Sequence, residues 1–233
     1  MKEVRMIKDF KKLLKDFEPM VKDPDFLRTG RSITNFSLRP REAWANWLLC
    51  AVFRKLNGDE VTFSDDDKCD GIIIDRKTGQ CVETEHVVAM NFPDRKKQLP
   101  KGEARIIEAI NQKIQRGVDY AEGKFLVVFF DGTDLWYRNK VREAINGRHN
   151  FRAIYLVGHA TSGQDGYVYT VTELHETFSV SYKVEISDDF TDFRVSEIRD
   201  NPMAKYKFIK YLINTMRWIA AKLICFGRRN RGS

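Results

Sequence analysis

The sequence predicts a single α/β or α+β domain with extra elements at both ends. Three observations carry that expectation. Apolar residues recur at helical spacing over 4–20, 40–56 and 102–121. From Glu60 the period shortens to that of strands. Phe125–Phe130 is an uninterrupted apolar run of strand length, the pattern of a strand buried on both faces.

The elements follow in order. In the first helix Val4, Ile7, Phe10, Leu13, Leu14 and Phe17 form the apolar face, with lysines between them. Pro24, Gly30 and Pro40 punctuate the connection after it. Pro40 also suits the first turn of a second helix, which stops at Asn57-Gly58. Its stripe of Trp44, Trp47, Leu48, Ala51 and Val52 reads as a buried face. Val61-Thr62-Phe63 is a short strand. Gly71-Ile72-Ile73-Ile74 and the segment 80–89 are longer ones, joined by the turn composition Asp75-Arg76-Lys77-Thr78-Gly79. The helix 102–121 turns Ile106, Ile107, Ile110, Ile114 and Val118 inward. A further helix is expected over 135–145 and a strand over 152–157. Residues 167–172 and 178–186 alternate like an antiparallel pair, either extending the sheet or forming a specificity hairpin. The last helix covers 203–226.

The chain has 233 residues, enough for a hydrophobic core without disulfide or metal staples. Hydrophobic residues are 42% and charged residues 31%, which excludes a disordered chain. No apolar run reaches the length of a spanning helix, and charges interrupt the N-terminus where a signal peptide needs an apolar centre. A cytoplasmic protein with no membrane span is expected. Net charge is +7, yet residues 204–233 hold eight basic and no acidic residues, so the rest nets −1. The basicity that suits a nucleic acid or an anionic membrane is therefore confined to the tail. Cys50, Cys69, Cys81 and Cys225 show no metal-binding spacing and read as small reduced hydrophobes, although Cys69 and Cys81 could face each other across a hairpin. There is no P-loop, G-x-G-x-x-G or G-x-S-x-G, which argues against a nucleotide cofactor and serine hydrolase chemistry. Asp65-Asp66-Asp67 lacks EF-hand spacing and reads as a solvated turn. His149, His159 and His175 have no partners at ligand spacing.

The chemistry-bearing stretch is Cys69-Asp70-Gly71-Ile72-Ile73-Ile74, a turn, then Cys81-Val82-Glu83-Thr84-Glu85-His86-Val87. Strand positions two apart share a face, so Glu83 and Glu85 project together and His86 points the other way, as a core or surface histidine. Asp70 opens the partner strand and reaches the same end of the sheet. Three converging carboxylates repel one another unless something neutralises them, and a hard divalent cation, Mg²⁺ or Mn²⁺, does so with oxygen ligands. The other reading of the same residues is a hairpin with solvated carboxylates on its exposed face.

These residues resemble the PD-(D/E)xK nuclease superfamily. Its pattern is an Asp at a strand start, a hydrophobic run, a turn, and a second strand bearing (D/E)-x-K. The resemblance spans about 40–157 and implies an α/β restriction-endonuclease-like core, with a mixed central sheet flanked by helices. Residues 1–30 are then an N-terminal helical addition, and 165–233 a C-terminal hairpin and basic helix. Two departures stand out. Cys69 replaces the proline, and Glu85 replaces the lysine, as in the minority of relatives with E-x-E. The resemblance implies metal ligation by Asp70, Glu83 and the Thr84 carbonyl. Glu42 matches a glutamate that many relatives place in the preceding helix, although an acidic residue there also simply suits a helix N-terminus. Glu85 would act as base or as ligand to a second metal, and Lys113 is the candidate for a lysine moved to the following helix. The expected function is a metal-dependent DNA endonuclease of restriction or repair type, possible as a homodimer. Lys207, Lys210, Arg217, Arg228 and Arg229 would contact the DNA backbone. A non-catalytic nucleic-acid binder of the same fold is the first alternative. A peripheral membrane or interaction protein using 203–226 is the second.

Overall fold

The computed structural model describes residues 7, 9–23, 27, 38–66, 69–90, 100–130, 135–163 and 166–198. Residues 1–197 form one compact unit and 198–233 a second, of which Ile198 alone is described. The expected helix 203–226 and the basic residues Lys207, Lys210, Arg217, Arg228 and Arg229 lie outside the described residues, as do Val4, Asp67 and Cys225.

The fold is mixed α/β. Helix α1 (Phe10–Val21) starts where Asp9 accepts a bond from the Lys12 N–H, and α2 (Pro40–Asn57) carries proline in its first turn and Gly58 at its end. Three antiparallel strands follow: β1 (Val61–Asp66), β2 (Cys69–Asp75) and β3 (Gln80–Ala89). Next come α3 (Gly102–Ile114), the single turn α4 (Val118–Ala121), β4 (Phe125–Phe130) and α5 (Arg138–Ile145). Strands β5 (Ala153–Gly163), β6 (Gly166–Leu174), β7 (Ser179–Ile186) and β8 (Phe193–Ile198) complete an eight-stranded sheet in sequence order. β3, β4 and β5 run parallel, and β6 and β7 continue the sheet antiparallel. Residues 166–174 and 179–186 therefore extend the sheet.

Each face of the sheet has its own cover. On one, α2 is buried on every side from Ala43 to Val52, because α1 lies over it. Phe10 stacks on Trp47 at 4.7 Å, Phe17 meets Trp44 edge-on at 5.1 Å, and Trp44 meets Tyr169 of β6 at 5.4 Å. On the other face α3 and α5 bury Ile106, Ile110, Val141 and Ile145 against Leu126, Val128, Ile154 and Leu156. Burial of this many branched side chains, at about 1.5–3 kcal/mol each, is what holds the layers together.

Several expectations need correction. Helix 102–121 breaks after Ile114, because Gly117 takes a φ of +96° that no continuing helix allows. Val118, expected inward, is 54% exposed. The helix expected from 135 begins at Arg138, leaving Leu135 in solvent. β5 runs on to Gly163 through a bulge at His159–Thr161, and β8 was not foreseen. Cys81 pairs with Ile74 and Cys69 with Asp66, so these two cysteines do not oppose each other. Cys50 is a buried hydrophobe, whereas Cys81 is exposed.

Candidate active site

The site is built where β3 changes partners. From Gln80 to Glu83 it pairs with β2, and from Thr84 to Ala89 with β4. Past that point β2 has diverged, and β3 would present unpaired backbone groups on that edge. The Asp70 carboxylate fills the gap, its Oδ2 accepting the His86 N–H at 2.7 Å. Gly71 makes the divergence possible. Its φ is +138°, and a Cβ there would lie 2.2 Å from Asn46 Nδ2 and 3.0 Å from Thr84 Oγ1. Asn46, fully buried in α2, uses that amide to bond the Asp70 carbonyl at 3.0 Å, and its Oδ1 meets His86 Nε2 at 3.1 Å. Burial, and then the Lys113 charge, push the His86 pKa down to about 3, so the ring is neutral and donates to Asn46. His86 is thus a core histidine on the α2 face: alternation with Glu83 and Glu85 set the face, and its burial against Asn46 decides between core and surface.

Asp70 and Glu85 turn to the α3 face, where lysines meet them. Lys113, one residue from the end of α3, places Nζ 3.1 Å from Glu85 Oε2 and 4.0 Å from Asp70 Oδ2. It also donates to the Tyr120 hydroxyl at 2.7 Å, and that hydroxyl in turn bonds Glu85 Oε2. Lys124, just before β4, bridges Glu83 Oε2 at 3.3 Å and Glu85 Oε1 at 3.4 Å. Burial works against the Lys124 charge, but Glu85 and Glu83 more than offset it, so its pKa stands above that of an ordinary lysine. Burial and the bond to Glu85 raise the Tyr120 phenol, which stays protonated and donates. Lys113, Arg116 and Lys124 all lie over the Tyr120 ring, with charges 5.4, 4.9 and 5.2 Å from its centroid.

Of the residues singled out from sequence, Asp70, Glu83, Glu85 and Lys113 come together here. Glu85 is buried and both its oxygens are taken up by Tyr120, Lys113 and Lys124, which is the arrangement of a group that holds its neighbours in place. Thr84 is fully buried in the pair with Phe125 of β4. Glu42 caps its own helix, Oε2 accepting the Arg39 N–H at 2.8 Å. Burial raises its pKa, and the charge of Asp70 adds to the rise. Tyr120 and Lys124 were missed, although Gly117 after Ile114 is a readable helix stop and Lys124 directly precedes the buried strand.

Lysines link the three carboxylates, but among the described residues no group of three His, Cys, Asp or Glu side chains is placed to hold one metal ion. The donors present suit a site of fewer protein ligands. Asp70 uses one oxygen on His86 and half-buried Glu83 one on Lys124, leaving each a second oxygen with no hydrogen bond to a described residue. Magnesium characteristically takes one or two carboxylates, keeps several waters and completes its shell with substrate phosphate. Asp70 and Glu83 each offer one carboxylate oxygen of that kind.

No protein-family model, no curated protein and no solved structure matches the chain.

Proposed function

We propose that the protein is a divalent-metal-dependent nuclease acting on DNA, with a restriction-endonuclease-like core and its site at the point where β3 passes from β2 to β4. The observation that carries this reading is Lys113, 3.1 Å from Glu85 and 4.0 Å from Asp70, since it returns to the carboxylates the lysine that E-x-E lacks. Asp70 and Glu83 would hold Mg²⁺ or Mn²⁺, which when bound polarises a phosphodiester and acidifies a coordinated water. Tyr120 and Glu85 take two of the three Lys113 N–H groups and leave one for a substrate oxygen or the attacking water. Glu85 fixes both lysines and keeps their charge beside the acidic residues, so an anionic backbone meets a mixed rather than a purely repulsive surface. The basic residues at 204–233 complement such a site by contacting phosphates.

The test is cleavage of supercoiled plasmid and of single-stranded DNA with Mg²⁺ or Mn²⁺, wild type against Glu83→Ala. Metal-dependent cutting that disappears in a folded variant is the expected result. One observation favours a second reading, a DNA binder without chemistry: Glu85, in the position of the usual lysine, is closed in by three donors. That reading predicts no cutting together with a gel shift that persists in chelator. Absence of both cutting and retention eliminates the two together.

A further inference from the structure

We propose that Lys124 is an internal counter-cation, occupying the acidic site in the absence of metal and leaving Glu83 when a divalent ion enters. The inference rests on the nuclease reading and concerns how that site is regulated. A single ammonium spans two carboxylates, Glu83 Oε2 at 3.3 Å and Glu85 Oε1 at 3.4 Å. The two carboxylates are unlike each other. Glu85 is buried and has Lys113 and Tyr120 besides, so it stays neutralised without Lys124. Glu83 is half-exposed, and Lys124 is the cation it meets among the described residues. A divalent ion at Glu83 therefore competes with one ammonium for one carboxylate, and Glu85 retains its other partners. The Lys124 side chain is one-fifth exposed and sits directly before β4, whose Phe125 pairs with Thr84. Its ammonium thus has room to swing outward while its backbone stays fixed. Released from Glu83, it becomes a cation available to a phosphate oxygen, so metal and DNA would each strengthen the binding of the other.

Arg116 separates displacement from a general field effect. It lies over the same Tyr120 ring and makes no ion pair among the described residues. Calorimetric titration with MgCl₂ alone compares wild type with Lys124→Met, Arg116→Met and Asp70→Asn. Lys124→Met is expected to bind Mg²⁺ about tenfold more tightly and Arg116→Met to stay within about twofold of wild type. Equal shifts in the two variants, or none in Lys124→Met, overturn the inference. A second measurement needs no variant. Amine-reactive labelling of the wild-type protein, read by mass spectrometry, should show Lys124 protected in chelator and labelled severalfold faster in Mg²⁺, and an unchanged rate overturns the displacement. Mg²⁺ binding that Asp70→Asn abolishes but Lys124 does not influence defeats this inference alone. Failure of the wild type to bind Mg²⁺ defeats the metal-dependent reading with it.

Discussion

The parallel strands β3, β4 and β5 carry an antiparallel flank on each side, and a glutamate sits toward each flank, Glu85 on β3 and Glu173 on β6. On the β1–β2 side Glu85 meets two lysines and a phenol, all within hydrogen-bond reach. On the β6–β7 side Glu173 receives a hydrogen bond from Tyr155, and the basic group beside it is His175, Nε2 at 3.6 Å. Burial lowers His175 to about 4, so at neutral pH it brings no charge. Burial accordingly pushes Glu173 up to about 7. The same residue type is ringed by cations and a phenol in one place and moves toward neutrality in the other, where burial dominates. The proposed site therefore lies on the first side, where the charges are organised, and a perturbed carboxyl alone does not mark a site.

The contrast is broken first by Glu85→Ala, which leaves Lys113 and Lys124 without their shared anion. A loss of about 3 kcal/mol at pH 7 is expected in urea unfolding, and a loss below a quarter of that would show that Glu85 is no charge anchor. Glu173→Gln should act with the opposite sign. A carboxyl whose folded pKa is raised contributes stability below its unfolded pKa and loses it as pH rises through the folded value. Relative to the variant, wild type should therefore weaken by about 2 kcal/mol between pH 5 and pH 8. Parallel pH curves would rule out a raised Glu173. His86→Gln gives the smallest change. Because the folded pKa of about 3 lies below that of an unfolded histidine, the unfolded chain takes up the proton first, and stability falls as pH drops below the unfolded value. Wild type should lose about 1.5 kcal/mol between pH 7 and pH 5 that the glutamine variant, still able to donate to Asn46, does not.

Much of this was readable before the structure. The alternation Glu83, Glu85 against Thr84, His86 sorted the two faces of β3 correctly, and the break at Asn57-Gly58 and the turn at 75–79 sit where composition put them. Lys113 was named only through the family resemblance, and Tyr120 and Lys124 were missed because they lie 35 and 39 residues from Glu85 in sequence, on elements whose register no local signal fixes. Helical periodicity ran straight through Gly117 because Val118 resumes an apolar spacing, and it pointed a solvent-exposed residue inward. β8 escaped notice because Phe193, Val195 and Ile198 are too sparsely spaced to give a strand pattern. Local pattern found the carboxylates, and tertiary packing chose their counter-ions.

The division of β3 between two neighbours also bears on how the site assembles during folding. Its first half closes a hairpin through the short turn 76–79, while its second half waits for a parallel partner roughly forty residues on, with a crossover helix to place in between. Glu83 and Glu85, two residues apart, therefore acquire their surroundings in separate events of different contact order. An early chain can carry the complete acidic hairpin while Lys113, Tyr120 and Lys124 are still unplaced. The pairing of these carboxylates with their lysines is thus tied to completion of the long-range step, and a chain in which β4 has not yet docked holds the carboxylates without the groups that neutralise them.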